Sequence, residues 1–103
     1  MTKQYKALPK YPATTRDFSF VCDKSLEAAS VEDVMKKAGG KLVEKVELFD
    51  VYTGEKIGLE NKSVAFRVTM RAADHTLTDE EADKTSQKIL ASLEKNLGIT
   101  LRR

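Results

Sequence analysis

The stretch NKSVAFRVTMR, residues 61–71, puts apolar side chains at Val64, Phe66, Val68 and Met70, with Ser63, Ala65, Arg67, Thr69 and Arg71 between them. Successive residues of a strand point to opposite faces, so this alternation predicts a strand from Ser63 to Met70 with one face in a core. Such a strand belongs in a sheet covered on one side only, which is an antiparallel arrangement. RDFSFVC (16–22) repeats the pattern: Phe18, Phe20 and Cys22 face one way, Asp17, Ser19 and Val21 the other. A further strand is expected from about Leu42 to Tyr52.

Two helical patterns separate these strands. Ser30 is expected to cap a helix from Val31, with Asp33 in its first turn, an apolar stripe of Val31, Val34, Met35 and Ala38, and a stop at Gly39-Gly40. The second pattern opens with a capping box, Thr78 and Glu81, and carries Ala82, Ile89, Leu90, Leu93 and Leu97 at helical spacing up to Gly98. GITLR (98–102) is expected to add a last short strand. The order β-α-β-β-α-β predicts an α+β, ferredoxin-like fold: a four-stranded antiparallel sheet with two helices on one face and the other face open. Residues 1–15, which hold both prolines, are expected to form an extended basic arm, and residues 16–103 the domain.

At 103 residues the chain fits one domain, large enough to hold a core without staples. No apolar run approaches the roughly 20 residues that span a bilayer, and no signal-peptide pattern opens the sequence, so a cytoplasmic location is the expectation. Cys22 is the single cysteine; it excludes an internal disulfide and reads as a small buried hydrophobe. The net charge is only +2, but Lys3, Lys6, Lys10 and Arg16 open the chain without an acid, and Arg102-Arg103 close it. Such ends suit a polyanionic partner, and equally a solvated terminus.

Little points to catalysis. His75 is the only histidine and lies in a polar loop, and one Cys with one His cannot build a zinc site. No helix follows Gly54 and Gly58 to complete a phosphate loop. Asp79, Glu80, Glu81 and Asp83 suit the positive end of a helix dipole better than a metal.

Adjacent Leu48 and Phe49 in ELFDVY break the alternation of their strand. A β-bulge near that step would account for it, with Val46 and Leu48 facing the core before it and Phe49 and Val51 after it. Asp50 and Tyr52 are then turned onto the open face, near Ser63 and Arg67. An aromatic plane, an arginine and a carboxylate together suit unpaired RNA bases, which stack on rings and guanidinium groups and are read along their edges. A carboxylate repels phosphate, so Asp50 would accept hydrogen bonds from a base, guanine N1–H and N2–H2 being the natural donors. The plain alternative is that Asp50 pairs with Arg67 or a lysine and Tyr52 covers a sheet edge.

KYPATTRDFSFV, VELFDVYTGEKIG, NKSVAFRVTMR, TLTDEEAD and the closing GITLR, in this order and spacing, resemble the ferredoxin-fold anticodon-binding domain. That domain closes the β subunit of bacterial phenylalanyl-tRNA synthetases and also ends the single-chain organellar enzymes. The resemblance runs from about Lys10 to Arg102, and it makes the chain look like an excised C-terminal fragment with an added start. It implies binding to the anticodon stem-loop of the phenylalanine tRNA, with Asp50, Tyr52 and Ser63 touching anticodon bases. Arg16, Ser19 and Phe20 are further candidates from the first strand region, and charge and position add Arg67 and Arg102.

The resemblance also implies an (αβ)2 parent enzyme using ATP and magnesium, with no cofactor in this domain and with aminoacylation and editing placed elsewhere. Two departures from the family pattern stand near the site. Thr15-Arg16 replaces the frequent pair of arginines, and Glu60-Asn61-Lys62 lacks the usual glycine. From other classes, a protein-interaction or small-ligand module on the same fold is the rival reading. A small hydrolase ranks behind it, for want of a reactive constellation.

Overall fold

The computed structural model describes residues 11–99. Strands β1 (Thr14–Asp23), β2 (Val43–Tyr52) and β3 (Asn61–Met70) and helices α1 (Ala28–Gly39) and α2 (Asp79–Leu97) follow one another as β-α-β-β-α. Among the described residues the sheet is three-stranded and antiparallel, in the order β1-β3-β2. This is the ferredoxin-like α+β arrangement, although the fourth strand expected over 98–102 falls beyond Ile99 outside the described residues, as does Arg102. The expected arm lies outside them up to residue 10. Thr14 and Thr15 already belong to β1, paired with Met70 and Thr69, so the strand starts before the expected boundary.

Alternation on β1 and β3 builds the core. Directly opposed residues of antiparallel strands share a face, and the pairs Phe18–Phe66 and Phe20–Val64 face the helices. The Phe20 and Phe66 rings stack at 5.9 Å between centroids. Val31 and Met35 of α1 and Ala82, Ile89 and Leu93 of α2 close over them, all buried. Each large apolar side chain buried in this way contributes about 1.5–3 kcal/mol. Cys22 belongs to the same cluster, and burial pushes its thiol above the ordinary value, as expected of a packing residue.

Ser30 does not cap α1. The Asp23 carboxylate accepts from the Ser25 amide (2.8 Å) and hydroxyl (2.6 Å), which ends β1 in a tight turn. The helix then starts one turn earlier than expected, with Glu27 at the cap position and no side-chain cap. The Ser30 amide is already bonded to the Glu27 carbonyl at 3.1 Å, so the serine sits inside the first turn. The stop at Gly39-Gly40 is where the sequence puts it.

The α2 capping box forms as expected. The Glu81 amide donates to Thr78 Oγ1 at 3.1 Å, and the Thr78 amide donates to Glu81 Oε1 at 3.0 Å. Gly98 ends the helix at φ 65°, a left-handed conformation that glycine adopts without strain. The Glu81 carboxylate also holds His75, whose Nε2 lies 2.9 Å from Oε2 while Nδ1 lies 2.7 Å from Asp74 Oδ1. These hydrogen bonds, Asp74's first and then Glu81's, raise the imidazole above its ordinary value of 6.5. Glu81 is lowered, by the Thr78 amide first and then by His75.

The sign of the pH effect follows. A raised histidine stabilises the fold fully below its unfolded value near 6.5, and the contribution fades as pH rises through the folded value. In denaturant titrations, the stability gap between the native chain and a His75→Gln variant should be widest near pH 5.5 and shrink by pH 8. A gap independent of pH would mean that the imidazolium does not hold this helix start.

Candidate functional site

Pairing across the sheet defines the open face row by row. Val21, Ser63 and Tyr52 form one row, Ser19, Ala65 and Asp50 the next, and Asp17, Arg67 and Glu47 the third. The register of β2 shifts between Leu48, opposite Phe66, and Asp50, opposite Ala65. The expected bulge is there, and Asp50 and Tyr52 lie on the open face.

Phe49 does not turn to the core. The residue is 49% exposed, and its ring stands under the Arg67 guanidinium, 4.7 Å from Cζ to the ring centroid. The phase change falls between Phe49 and Asp50, one residue later than the sequence suggested. Leu48 keeps its place at the core, Phe49 follows normal alternation outward, and the extra residue keeps Asp50 outward beside it. Val51, opposite Val64, is on the helix side as expected but is 50% exposed and outside the core cluster. The two-apolar step points inward only if the phenylalanine is buried, and this one is not. Plain alternation from Val46 and Leu48 would have placed it outside.

A second register shift lies between Val43 and Lys45, where Glu44 is the extra residue and its carboxylate accepts from Arg71 Nε at 2.7 Å. Nothing in the local sequence had flagged it.

Arg67 is not the partner of Asp50. Its Nε and Nη2 donate to the two Asp17 oxygens at 2.9 and 3.2 Å, a bidentate pair that holds Asp17 below the usual carboxylate range. Lys45 pairs with Glu47 at 3.4 Å. Among the described residues Asp50 enters no salt bridge, so its carboxylate keeps its acceptor positions for a ligand. The sequence pattern marks Asp17 only as an outward strand residue. Seeing its link to Arg67 requires the β1–β3 register, which no local pattern carries.

The remaining candidates divide. Ser19 and Ser63 stand on the open face, with Ala65 between them, so small side chains floor the rows next to Asp50 and Tyr52. Phe20 is a core residue, 1% exposed against Phe66, and offers no ring to this surface. Arg16, opposite Val68, belongs to the helix side, where its Nη2 lies 3.7 Å from Asp79 and 3.5 Å from Asp83 of α2. The alternation that buries Phe18 also sends Arg16 to that side.

Tyr52 is placed by a glycine. A Cβ on Gly54 would stand 2.7 Å from the Tyr52 hydroxyl oxygen and 3.0 Å from Cζ, so the phenol lies across the bare backbone of Gly54. The Gly54 backbone is extended, φ 168° and ψ 171°, which any residue adopts. Gly54→Ala should therefore displace the Tyr52 ring without unfolding the domain. The expected result is a change in the Tyr52 ring resonances by NMR, with stability unchanged within about 0.5 kcal/mol. Unmoved ring resonances would show that the glycine does not position the phenol.

No group of three or more possible metal ligands occurs among the described residues, and no helix is long and apolar enough to cross a membrane. In sequence comparisons, the chain is 45% identical over 100 residues to the phenylalanine–tRNA ligase beta subunit of Clostridium tetani, covering 97% of this chain and 13% of that protein. The corresponding subunit of Bacillus subtilis is 45% identical over 98 residues, covering 95% of this chain and 12% of that protein. The chain thus spans only about an eighth of the length of these relatives. A family described as "Ferredoxin-fold anticodon binding domain" matches residues 9–102. With nearly its whole length matched, the chain belongs to the ferredoxin-fold anticodon-binding domain family.

Proposed function

We propose that this domain binds the anticodon stem-loop of the phenylalanine tRNA through its open sheet face, as part of a phenylalanine–tRNA ligase β subunit in an (αβ)2 enzyme. The observation that carries the reading is the Asp50 carboxylate, outward-facing, without a salt bridge among the described residues and flanked by exposed rings. Tyr52 stacks one unpaired base, Asp50 accepts from the edge of a base bearing N–H donors, and Ser63, in the same row as Tyr52, adds a hydroxyl. Ser19 stands one row away, beside Ala65. Arg67 braces the face through Asp17. In this reading aminoacylation, with its ATP and magnesium, belongs to other parts of the parent enzyme.

The test is an NMR titration of the 103-residue chain with a GAA anticodon stem-loop and with one of altered anticodon. Asp50, Tyr52 and Ser63 should respond, and respond differently to the two RNAs. Equal or absent responses would sink the reading. Tyr52→Ala should weaken binding by about 1–3 kcal/mol, the scale of one lost base stack. Asp50→Asn should relax the base preference while leaving non-specific binding unchanged or tighter. Affinity should fall as salt rises, through lost counterion release. Indifference to salt would favour a protein or small-ligand partner on the same face.

A further inference from the structure

We infer that Phe49, backed by Arg67, is a second stacking platform, so that the open face takes a second unpaired nucleobase besides the one on Tyr52. The inference rests on the RNA reading above and adds a subsite to it.

Phe49 is the residue that the bulge keeps outside. The residue is 49% exposed, close to the 48% of Tyr52. The guanidinium of Arg67 covers one face of that ring, so the exposure falls on the opposite face and the edge. Two hydrogen bonds to Asp17 hold Arg67 in place over the ring. A ring backed by a paired cation is already favoured in one placement, and that lowers the entropy lost when a flat ligand settles on it.

Tyr52 is built on the same plan with different parts, its ring lying across the backbone of Gly54. Each ring is therefore supported on one side and open on the other, and Asp50 lies between them in the chain.

The surroundings select the occupant. Asp17 and Glu47 flank Arg67 in its row and Asp50 adjoins Phe49, so a phosphate group is repelled from this spot. A neutral aromatic surface with N–H donors on its edge meets no such penalty. An unpaired nucleobase has both properties, and stacking tolerates any base because each presents a π-face. A protein side chain from elsewhere in the parent subunit is the competing occupant.

The chain contains no tryptophan, so Phe49→Trp installs a single indole at the platform. On addition of the GAA stem-loop its emission should be quenched, and the affinity should be kept or improved. In the complementary arm, Phe49→Leu keeps an apolar side chain at the bulge and removes the ring. It should weaken binding about five-fold or more, from the lower end of the range for one stacked base. With 2-aminopurine placed at each anticodon position in turn, Phe49→Leu should restore fluorescence at a different position from Tyr52→Ala. Circular dichroism melts of both variants should match the native chain.

If Tyr52→Ala weakens binding while Phe49→Leu and the indole report nothing, the second platform is wrong and the RNA reading survives. If both substitutions act on the same nucleotide, the rings clamp one base, and the separate subsite is overturned. If neither substitution changes RNA binding, the functional reading fails and takes the subsite with it.

Discussion

The register of β3 is the constraint on which both faces of the sheet depend. Its even-numbered residues from Val64 to Met70 are buried, and its odd-numbered residues from Ser63 to Thr69 form the middle column of the open face. Because side-chain direction alternates strictly, a slip of one residue would send Phe66 to solvent and Arg67 into the core. The hydrophobic cost of that slip, about 1.5–3 kcal/mol for each large side chain exposed, is paid several times over along the strand. The open face thus inherits its accuracy from the core. Arg67 meets Asp17, and Ser63 meets Tyr52, because Phe66 meets Phe20 and Leu48 on the other side.

The bulge at Phe49-Asp50 breaks this rule on an outer strand, as does the shift at Glu44, where the ladder has least to lose. One extra residue leaves a phenylalanine and an aspartate side by side on the open face, an arrangement that unbroken alternation forbids. It also turns the next residues, so that Tyr52 is outward and Val51 inward. The cost is visible in Val51, which faces the helix side yet remains half exposed. A strand optimised for stability alone would have no reason to expose three large apolar or aromatic side chains, Phe49, Val51 and Tyr52, within four residues.

Much of this was legible in the residues. The periods of two and 3.6 gave the strands and helices, and Thr78 with Glu81 fixed the start of α2 because a capping box is a local interaction. The phase break at Leu48-Phe49 revealed a bulge, but pattern alone placed it one residue early, since a phenylalanine normally repays burial. Ser30 has the chemistry of a cap, but the helix starts earlier, at Ala28, so its amide is already spent on the Glu27 carbonyl. What could not be read were contacts between distant segments, the Arg67–Asp17 pair, the guanidinium on Phe49 and the link from Arg16 to α2. Each depends on register or packing, which one strand's sequence does not carry. Phe20, a candidate only by resemblance, alternates with Phe18 and Cys22 onto the core face.

The charge balance of the open face separates reading from gripping. In its paired rows that face carries the acids Asp17, Asp23, Glu47 and Asp50 and the cations Lys45 and Arg67. Arg67 is matched to Asp17 and Lys45 to Glu47, and Asp23 is taken up by Ser25, which leaves Asp50 over. A phosphate backbone laid across these rows would meet no surplus of positive charge, and affinity for nucleic acid is driven chiefly by such a surplus. Stacking and edge recognition are short-ranged and need the backbone held nearby by other groups. In the proposed reading those groups lie off the face, in the rest of the parent enzyme. Rows without a spare cation among the described residues give RNA no general grip. In the proposed reading they contribute where an RNA held by other contacts also presents the right bases, which is the discrimination that an anticodon reader has to supply.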